Sequence, residues 1–193
     1  MSNPSERIEA ISTDNLEDFL RFFDGQAFSD NPDWSSCYCQ CYYENHREIV
    51  WQEQTAGRNR FMACQRIGNG TMRGFLAFAG NEAVGWCNAA PRHLLHALDD
   101  VPTPDADKLG AIVCFIVAPD HRGKGVARRL LEAACEGLAK EGLEVVEAMP
   151  RREARSEAEN YVGPLGMYLS AGFTIHREDE DGTIYVRRVL ATG

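Results

Sequence analysis

The apolar positions along this chain change period several times, and each change marks an element. Glu6 to Ile11 alternates charged and apolar residues, which predicts a strand. Leu16, Phe19, Leu20 and Phe23 recur at helical spacing behind Asp14 with Glu17 three positions on, a helix start. Asn31, Pro32 and Asp33 break that pattern. Ile49, Val50, Trp51, Phe61, Met62 and Ile67 predict one or two helices over 46–67, interrupted near Gly57 and stopped by Gly68, Asn69 and Gly70. Arg73 to Ala79 and Ala83 to Ala90 are apolar runs joined across Gly80 and Asn81, a hairpin that Pro91 ends.

The centre of the chain is a continuous apolar run, Ala111 to Ala118, followed by Pro119, Asp120 and a glycine-spaced basic loop. Val126, Ala127, Leu130, Leu131, Ala134 and Leu138 then form the apolar face of a helix closed by Gly142. Leu143 to Ala148 predicts another strand. Gly163 and Pro164 open a helix that holds Leu165, Met167, Tyr168 and Leu169 and ends at Ala171 and Gly172. Phe173 to Arg177 and Thr183 to Leu190 complete an antiparallel pair around Asp181 and Gly182. Residues 1–6 read as a disordered lead and 150–160 as a charged flexible loop. Interleaved strands and helices define an α/β class.

Composition narrows the classes of function. With 193 residues, 44% of them hydrophobic, one domain with a sizeable core is expected over 1–193. A formal charge of −9 disfavours nonspecific attraction to nucleic acid or an anionic membrane, so any anion binding must be local. No apolar run approaches the roughly 20 residues of a membrane span, and MSNPSERIEAI lacks the apolar centre of a secretory signal. Seven cysteines without zinc-finger spacing point to reduced thiols and a cytoplasmic setting.

Against that acidic background the 122–129 segment stands out. A helix start presents unpartnered N–H groups and partial positive charge. Gly123 and Gly125 remove the side chains that would hold an anion away, while Arg122, Lys124, Arg128 and Arg129 add charge, the last two equally readable as a solvated helix face. The stretch is a candidate phosphate cradle. A dinucleotide fingerprint would need glycine where Arg128 stands, and a P-loop would need Ser or Thr where Gly125 stands.

Three further features carry chemistry. Cys37, Cys39 and Cys41 alternate in WSSCYCQCYY, sharing one face of a strand or fanning out on a helix. Their single-residue gaps fit zinc poorly, so they read as small buried side chains, with redox or metal chemistry the alternative. The irregular stretch from Pro91 to Gly110 is acidic, with Asp99, Asp100, Asp105 and Asp107, and would suit a cationic acceptor or simply be solvated. Glu147 shares a strand face with Leu143 and Val145, placing a carboxylate among apolar groups as a base or at the strand's wet end.

Arg122-Gly-Lys-Gly-Val-Ala127 after a strand, with Met167-Tyr-Leu-Ser-Ala-Gly-Phe173 downstream, resembles the GNAT acyltransferase superfamily, closely over 70–190 and only in element order before that. GWCNAAPR at 85–92 is similar to a bacterial subgroup with a cysteine-rich N-terminal segment. The resemblance implies a GNAT fold, a mixed central sheet of about seven strands with a splayed central pair, flanked by helices. It implies acetyl-CoA as co-substrate and direct transfer, through a ternary complex, to a primary amine of a small molecule or protein. By resemblance Ile116 and Val117 meet the pantetheine arm, and the N–H groups of Arg122, Gly123, Lys124, Gly125, Val126 and Ala127 meet the pyrophosphate.

Tyr168 matches the family's general acid, with a core aromatic as the other reading. Relatives often place a glutamate on the central strand, but Ala111 to Ala118 has no acidic residue. Glu147 is the expected base, ahead of His93, His121 or a water relay. A GNAT domain that binds acyl-CoA as a sensor or scaffold is the alternative function. No metal, nucleic acid or membrane partner is expected, and monomer and homodimer both stay open.

Overall fold

A computed structural model describes residues 6–101, 103–152 and 158–190. The expected lead before residue 6 and the middle of the charged 150–160 loop lie outside the described residues. The strands are β1 (Glu6–Ala10), β2 (Phe75–Ala79), β3 (Glu82–Pro91), β4 (Leu109–Val117), β5 (Val145–Ala148), β6 (Thr174–Glu178) and β7 (Ile184–Val189). The α-helices are α1 (Leu16–Asp24), α2 (Ala56–Gly68), α3 (Val126–Lys140) and α4 (Leu165–Ser170), with short 3-10 turns between them.

All seven strands form one mixed sheet in the order β1-β2-β3-β4-β5-β7-β6. The β4–β5 pair is parallel, with α3 as the crossover, and the other pairs are antiparallel. β3 and β4 sit in the middle with helices on both faces, which is why both read as continuous apolar runs.

One face is covered by α1, α2 and the segment between them. Phe19 of α1 is fully buried, stacked on Phe23 with centroids 4.3 Å apart and edge-on to Trp86 of β3 at 5.0 Å. The other face is covered by α3 and α4, where Leu130, Leu131, Ala134 and Tyr168 are buried. α3 lies close against the central strands because two of their residues are glycines. A Cβ on Gly85 would stand 2.9 Å from the Val126 side chain, and one on Gly110 would stand 2.7 Å from that of Leu138.

Local departures from the expected elements have local causes. The first helical stretch is capped by Ser12 and Asn15 in a reciprocal capping box rather than by Asp14 and Glu17. Gly57 lies inside the first turn of α2, which begins after Thr55 caps the Arg58 N–H, so Gly57 interrupts nothing. The Pro91 to Gly110 stretch is organised by Arg92, buried and donating to the Leu98 and Val101 carbonyls at 2.9 and 2.8 Å.

Because Phe19 fills the contact between α1 and the sheet, Phe19→Ala is expected to lower the unfolding free energy by about 3–5 kcal/mol, measured by urea denaturation.

Candidate functional site

The site begins where a strand pair comes apart. β4 pairs with β5 only from Leu109–Val145 to Ile112–Ala148, while on its other side it stays paired with β3 as far as Val117. The β3 register skips Val113 between Ile112 and Cys114, a bulge that turns β4 at the point where β5 stops. From Val113 to Val117 the β4 edge facing β5 has no strand beside it among the described residues. The 3-10 turn Ala158–Val162 approaches this gap, and its Asn160 and Tyr161 form one wall of the cleft that results.

β4 leads through a 3-10 turn, Pro119–His121, into the glycine loop. Gly123 at φ +69 and Gly125 at φ +79 both adopt the left-handed conformation that lets the chain double back into α3. The first helical bond runs from the Arg129 N–H to the Gly125 carbonyl at 3.1 Å. The N–H groups of Gly125 to Arg128 therefore have no acceptor within the helix, and no side chain caps them. Gly125, Val126, Ala127 and Arg128 line a cavity of about 330 Å³, together with Ile116, Val117, Arg122 and Gly123 on this side.

Of the residues expected at the cofactor, all but Lys124 line this cavity, and the Arg122 backbone is already engaged. The Arg122 N–H is taken by the Pro119 carbonyl at 3.2 Å. Its guanidinium donates to the Val117 carbonyl at 3.0 Å and grips the Asp30 carboxylate, so Arg122 braces the end of β4 against the opposite wall. Hydrogen bonding to Arg122 in turn holds the Asp30 carboxyl below its ordinary pKa. Lys124 is exposed and does not line the cavity.

Neither expected catalytic side chain stands free in the cleft. Tyr168 is fully buried, its ring edge-on to Phe173 at 5.1 Å, and its hydroxyl donates to the Val162 carbonyl at 2.9 Å. Burial pushes its pKa well above the ordinary tyrosine value. Gly163, which lines the cleft, covers it, since a Cβ there would lie 3.5 Å from the hydroxyl. Glu147 lies level with Ala111, before the strands part, and accepts from Arg187 of β7 at 2.7 and 2.8 Å, so its charge is already matched. Of the two histidines, His121 lines the cleft and His93 is exposed away from it.

The cysteine run holds what sequence reasoning missed. It is neither strand nor helix: 3-10 turns flank Tyr38 and Cys39, which take φ values of +42 and +56. The chain curls so that Cys37, Cys39 and Cys41 line, together with Cys114 of β4, a second cavity of about 270 Å³. This cavity shares Phe28, Trp34, Ile116 and Tyr161 with the first, and the Trp34 and Tyr161 rings meet edge-to-face at 5.4 Å where the two join. Trp51 and Tyr42 add to its aromatic lining, and Asp33 is its carboxylate. The acidic Pro91 to Gly110 stretch lines neither cavity. No group of three or more metal-ligating side chains suited to a metal ion occurs among the described residues.

Glu44 ties this segment to α2. It is buried and accepts from Arg58 at 3.1 Å and from Arg66 at 3.0 Å. Burial would raise its pKa, but the hydrogen bonds and charges of the two arginines outweigh it and hold the carboxyl below the usual range.

A sheet that parts beside a glycine-lined helix start combines an open strand edge with backbone donors of the kind that bind anions. The model of the acetyltransferase (GNAT) family matches residues 27–163, and the chain belongs to that family. Its fold is shared by a GCN5-related N-acetyltransferase from Kribbella flavida, 16% identical, with a TM-score of 0.59 over 98% of this chain and 100% of that one. It is shared too by yncA from Salmonella typhimurium, solved with its cofactor acetyl-CoA, 14% identical with a TM-score of 0.54 over 98% and 96%. PaiA N-acetyltransferase from Thermoplasma acidophilum, in complex with coenzyme A, is 14% identical with a TM-score of 0.56 over 98% and 99%. None of the curated proteins matches the chain. No helix among the described residues is long and apolar enough to cross a membrane.

Two outcomes test these placements. Glu44→Gln should cost on the order of 2 kcal/mol in urea unfolding, less than for a fully buried pair because Arg58 is partly exposed. Since the folded pKa of Glu44 is lowered, its contribution is present at neutral pH and lost as pH falls through the acid range. The wild-type curve should show that loss and the variant should lack it. Tyr168→Phe should lower stability by about 1–3 kcal/mol, because the Val162 carbonyl loses a buried partner.

Proposed function

We propose that this chain transfers an acetyl group from acetyl-CoA to a primary amine by direct attack in a ternary complex. The observation that carries the reading is the free β4 edge running straight into the unpartnered N–H groups of the α3 start. Unpaired strand carbonyls and N–H groups suit the amide-rich pantetheine arm, and the helix start suits the pyrophosphate. Structural relatives hold acetyl-CoA and coenzyme A, which supports the same ligand here.

The second cavity suits the acceptor, because it adjoins the first and shares Phe28, Trp34, Ile116 and Tyr161 with it. Its lining of Phe28, Trp34, Tyr42, Trp51 and Tyr161 favours an amine carried on an apolar or aromatic body. Attack requires the neutral amine. Its lone pair adds to the thioester carbon, and the tetrahedral intermediate expels CoA sulfur. A thiol pKa of about 8.5 makes that leaving group only moderately basic, so it needs no buried acid. Tyr168, enclosed in the core, contributes packing rather than proton transfer.

A second reading, acyl-CoA binding without turnover, is favoured by the pairing of Glu147 with Arg187, which removes the expected base from the site. Calorimetry and thiol release separate the two. Wild-type protein should bind acetyl-CoA at micromolar concentrations and release thiol with at least one aromatic or aliphatic primary amine. Gly125→Val should weaken acetyl-CoA binding at least tenfold, about 1.4 kcal/mol, by forcing a branched side chain into the left-handed loop. Tyr168→Phe should keep its turnover within about tenfold of wild type, the factor worth 1.36 kcal/mol of barrier. Binding without thiol release would leave only the sensor reading, and no binding would remove both.

A further inference from the structure

The two cavities share Trp34 and Tyr161 but differ in charge. The first is lined by His121, Arg122 and Arg128, with Asp30 as its carboxylate. Among the described residues the second has Asp33 as its one carboxylate and no lysine, arginine or histidine in its lining.

Asp33 also stands apart from the other acidic residues of its wall. From the end of α1 to Glu44 the chain has four of them: Asp24, Asp30, Asp33 and Glu44. Asp24 is held by Arg60 at 3.2 Å, Asp30 by Arg122 at 3.1 Å, and Glu44 by Arg58 and Arg66 at 3.1 and 3.0 Å. Asp33 has no ion pair or side-chain hydrogen bond among the described residues. It lies in the 3-10 turn Pro32–Trp34, exposed, so its charge stands where the cavity meets solvent. The acidic Pro91 to Gly110 stretch lines neither cavity and leaves this role to Asp33.

Such a lining selects by charge. The rings of Trp34, Tyr42, Trp51 and Tyr161 attract a cation, and an unmatched carboxylate attracts it further, whereas an anion finds no positive side chain there. The charge in question is not that of the reacting nitrogen. Attack needs the neutral amine, and a carboxylate beside that nitrogen would favour its ammonium form and oppose attack. A second positive charge on the acceptor keeps its contact from binding through transfer, so that binding energy persists in the transition state. The lining permits this division. Asp33 borders only the second cavity, while Phe28, Trp34, Ile116 and Tyr161 border both, so a group held at Asp33 leaves the shared border to the reacting nitrogen.

We infer that Asp33, with the aromatic lining beside it, selects acceptors that carry a second positive charge, small diamines whose far ammonium is held at Asp33 while the near nitrogen is acetylated. The assignment rests on the acetyltransferase reading above and names its substrate class. Asp33 is a specificity residue and takes no part in proton transfer or bond making.

The test compares two acceptors that share a ring and a reacting arm. p-Xylylenediamine carries a far ammonium where p-methylbenzylamine carries only a methyl group. In thiol-release assays with acetyl-CoA at neutral pH, wild type should prefer the diamine by about tenfold in kcat/KM, within the range of a partly desolvated cation site. Asp33→Asn should abolish that preference by raising KM for the diamine about tenfold with kcat kept, the mark of binding that ground state and transition state share. The same variant should leave kinetics with p-methylbenzylamine, acetyl-CoA binding in calorimetry and the urea midpoint as in wild type. Asp33→Glu should retain the preference. Asp107→Asn, which removes an exposed charge outside both cavities, should not alter it. Added salt should shrink the wild-type preference and leave Asp33→Asn unaffected.

An equal loss on both acceptors in Asp33→Asn overturns the inference, since the carboxylate would then act on the reacting nitrogen. Unchanged kinetics on both overturns it too, leaving Asp33 a solvated turn residue. In either case turnover persists and the acetyltransferase reading stands. Absence of thiol release from wild type with every amine removes that reading and this assignment together. Should Asp33→Asn fail to fold, the wild-type salt series decides, because a diamine preference that salt does not reduce sinks the proposal.

Discussion

The parting of β4 from β5 after Ile112 is the constraint on which the site depends. A strand in the middle of a sheet normally has both edges paired, and buried backbone groups left without partners are costly. Here β4 carries one residue too many against β3, bends at Val113, and outlives a partner that ends at Ala148. Its remaining residues keep β3 on one side and face an open cleft on the other. That half-paired stretch presents its second edge to the cleft, and the glycine loop that follows it delivers the start of α3 to the same cleft.

The two walls of the cleft are held by different physics. α3 is fixed by volume, close against Gly85 and Gly110 with no side chain between. The opposite wall, from Phe28 to Glu44, has no α-helix or strand; Phe28, Tyr38 and Tyr43 sink into the core and polar contacts pin it at a few further points. Arg122 reaches across to Asp30, Asn59 holds the Ser36 carbonyl at 2.9 Å, and Glu44 gathers Arg58 and Arg66. Between these anchors the chain adopts the unusual backbone at Tyr38 and Cys39 that directs thiols inward.

Much of the fold was legible because the deciding signals are local. The 111–131 stretch announces a buried strand, a left-handed glycine loop and a helix within some twenty residues, and the 163–173 stretch announces a short helix ended by Gly172. What sequence could not give depends on partners far along the chain. Glu147 reads as a candidate base until β7 inserts beside β5 and brings Arg187, forty positions on, against it. Tyr168 sits at the family position, yet only the path of Val162 and Gly163 over its hydroxyl shows that it is enclosed. Periodic templates offer the cysteine run only a strand or a helix. Its convergence needs two left-handed residues, which no pattern of apolar positions reports, and a fourth thiol from β4 that stood unremarked inside an apolar run.

The unequal construction of the two walls also gives them unequal lifetimes. α3 is held by a continuous helical hydrogen-bond ladder, whereas the 28–44 wall, although Phe28, Tyr38 and Tyr43 are buried, has no regular backbone pairing, so its local opening should cost less. A bulky ligand can therefore enter from that side without disturbing the anion cradle. The cofactor pocket can remain assembled through many openings of the acceptor pocket, an order of events written into which wall is packed and which is pinned.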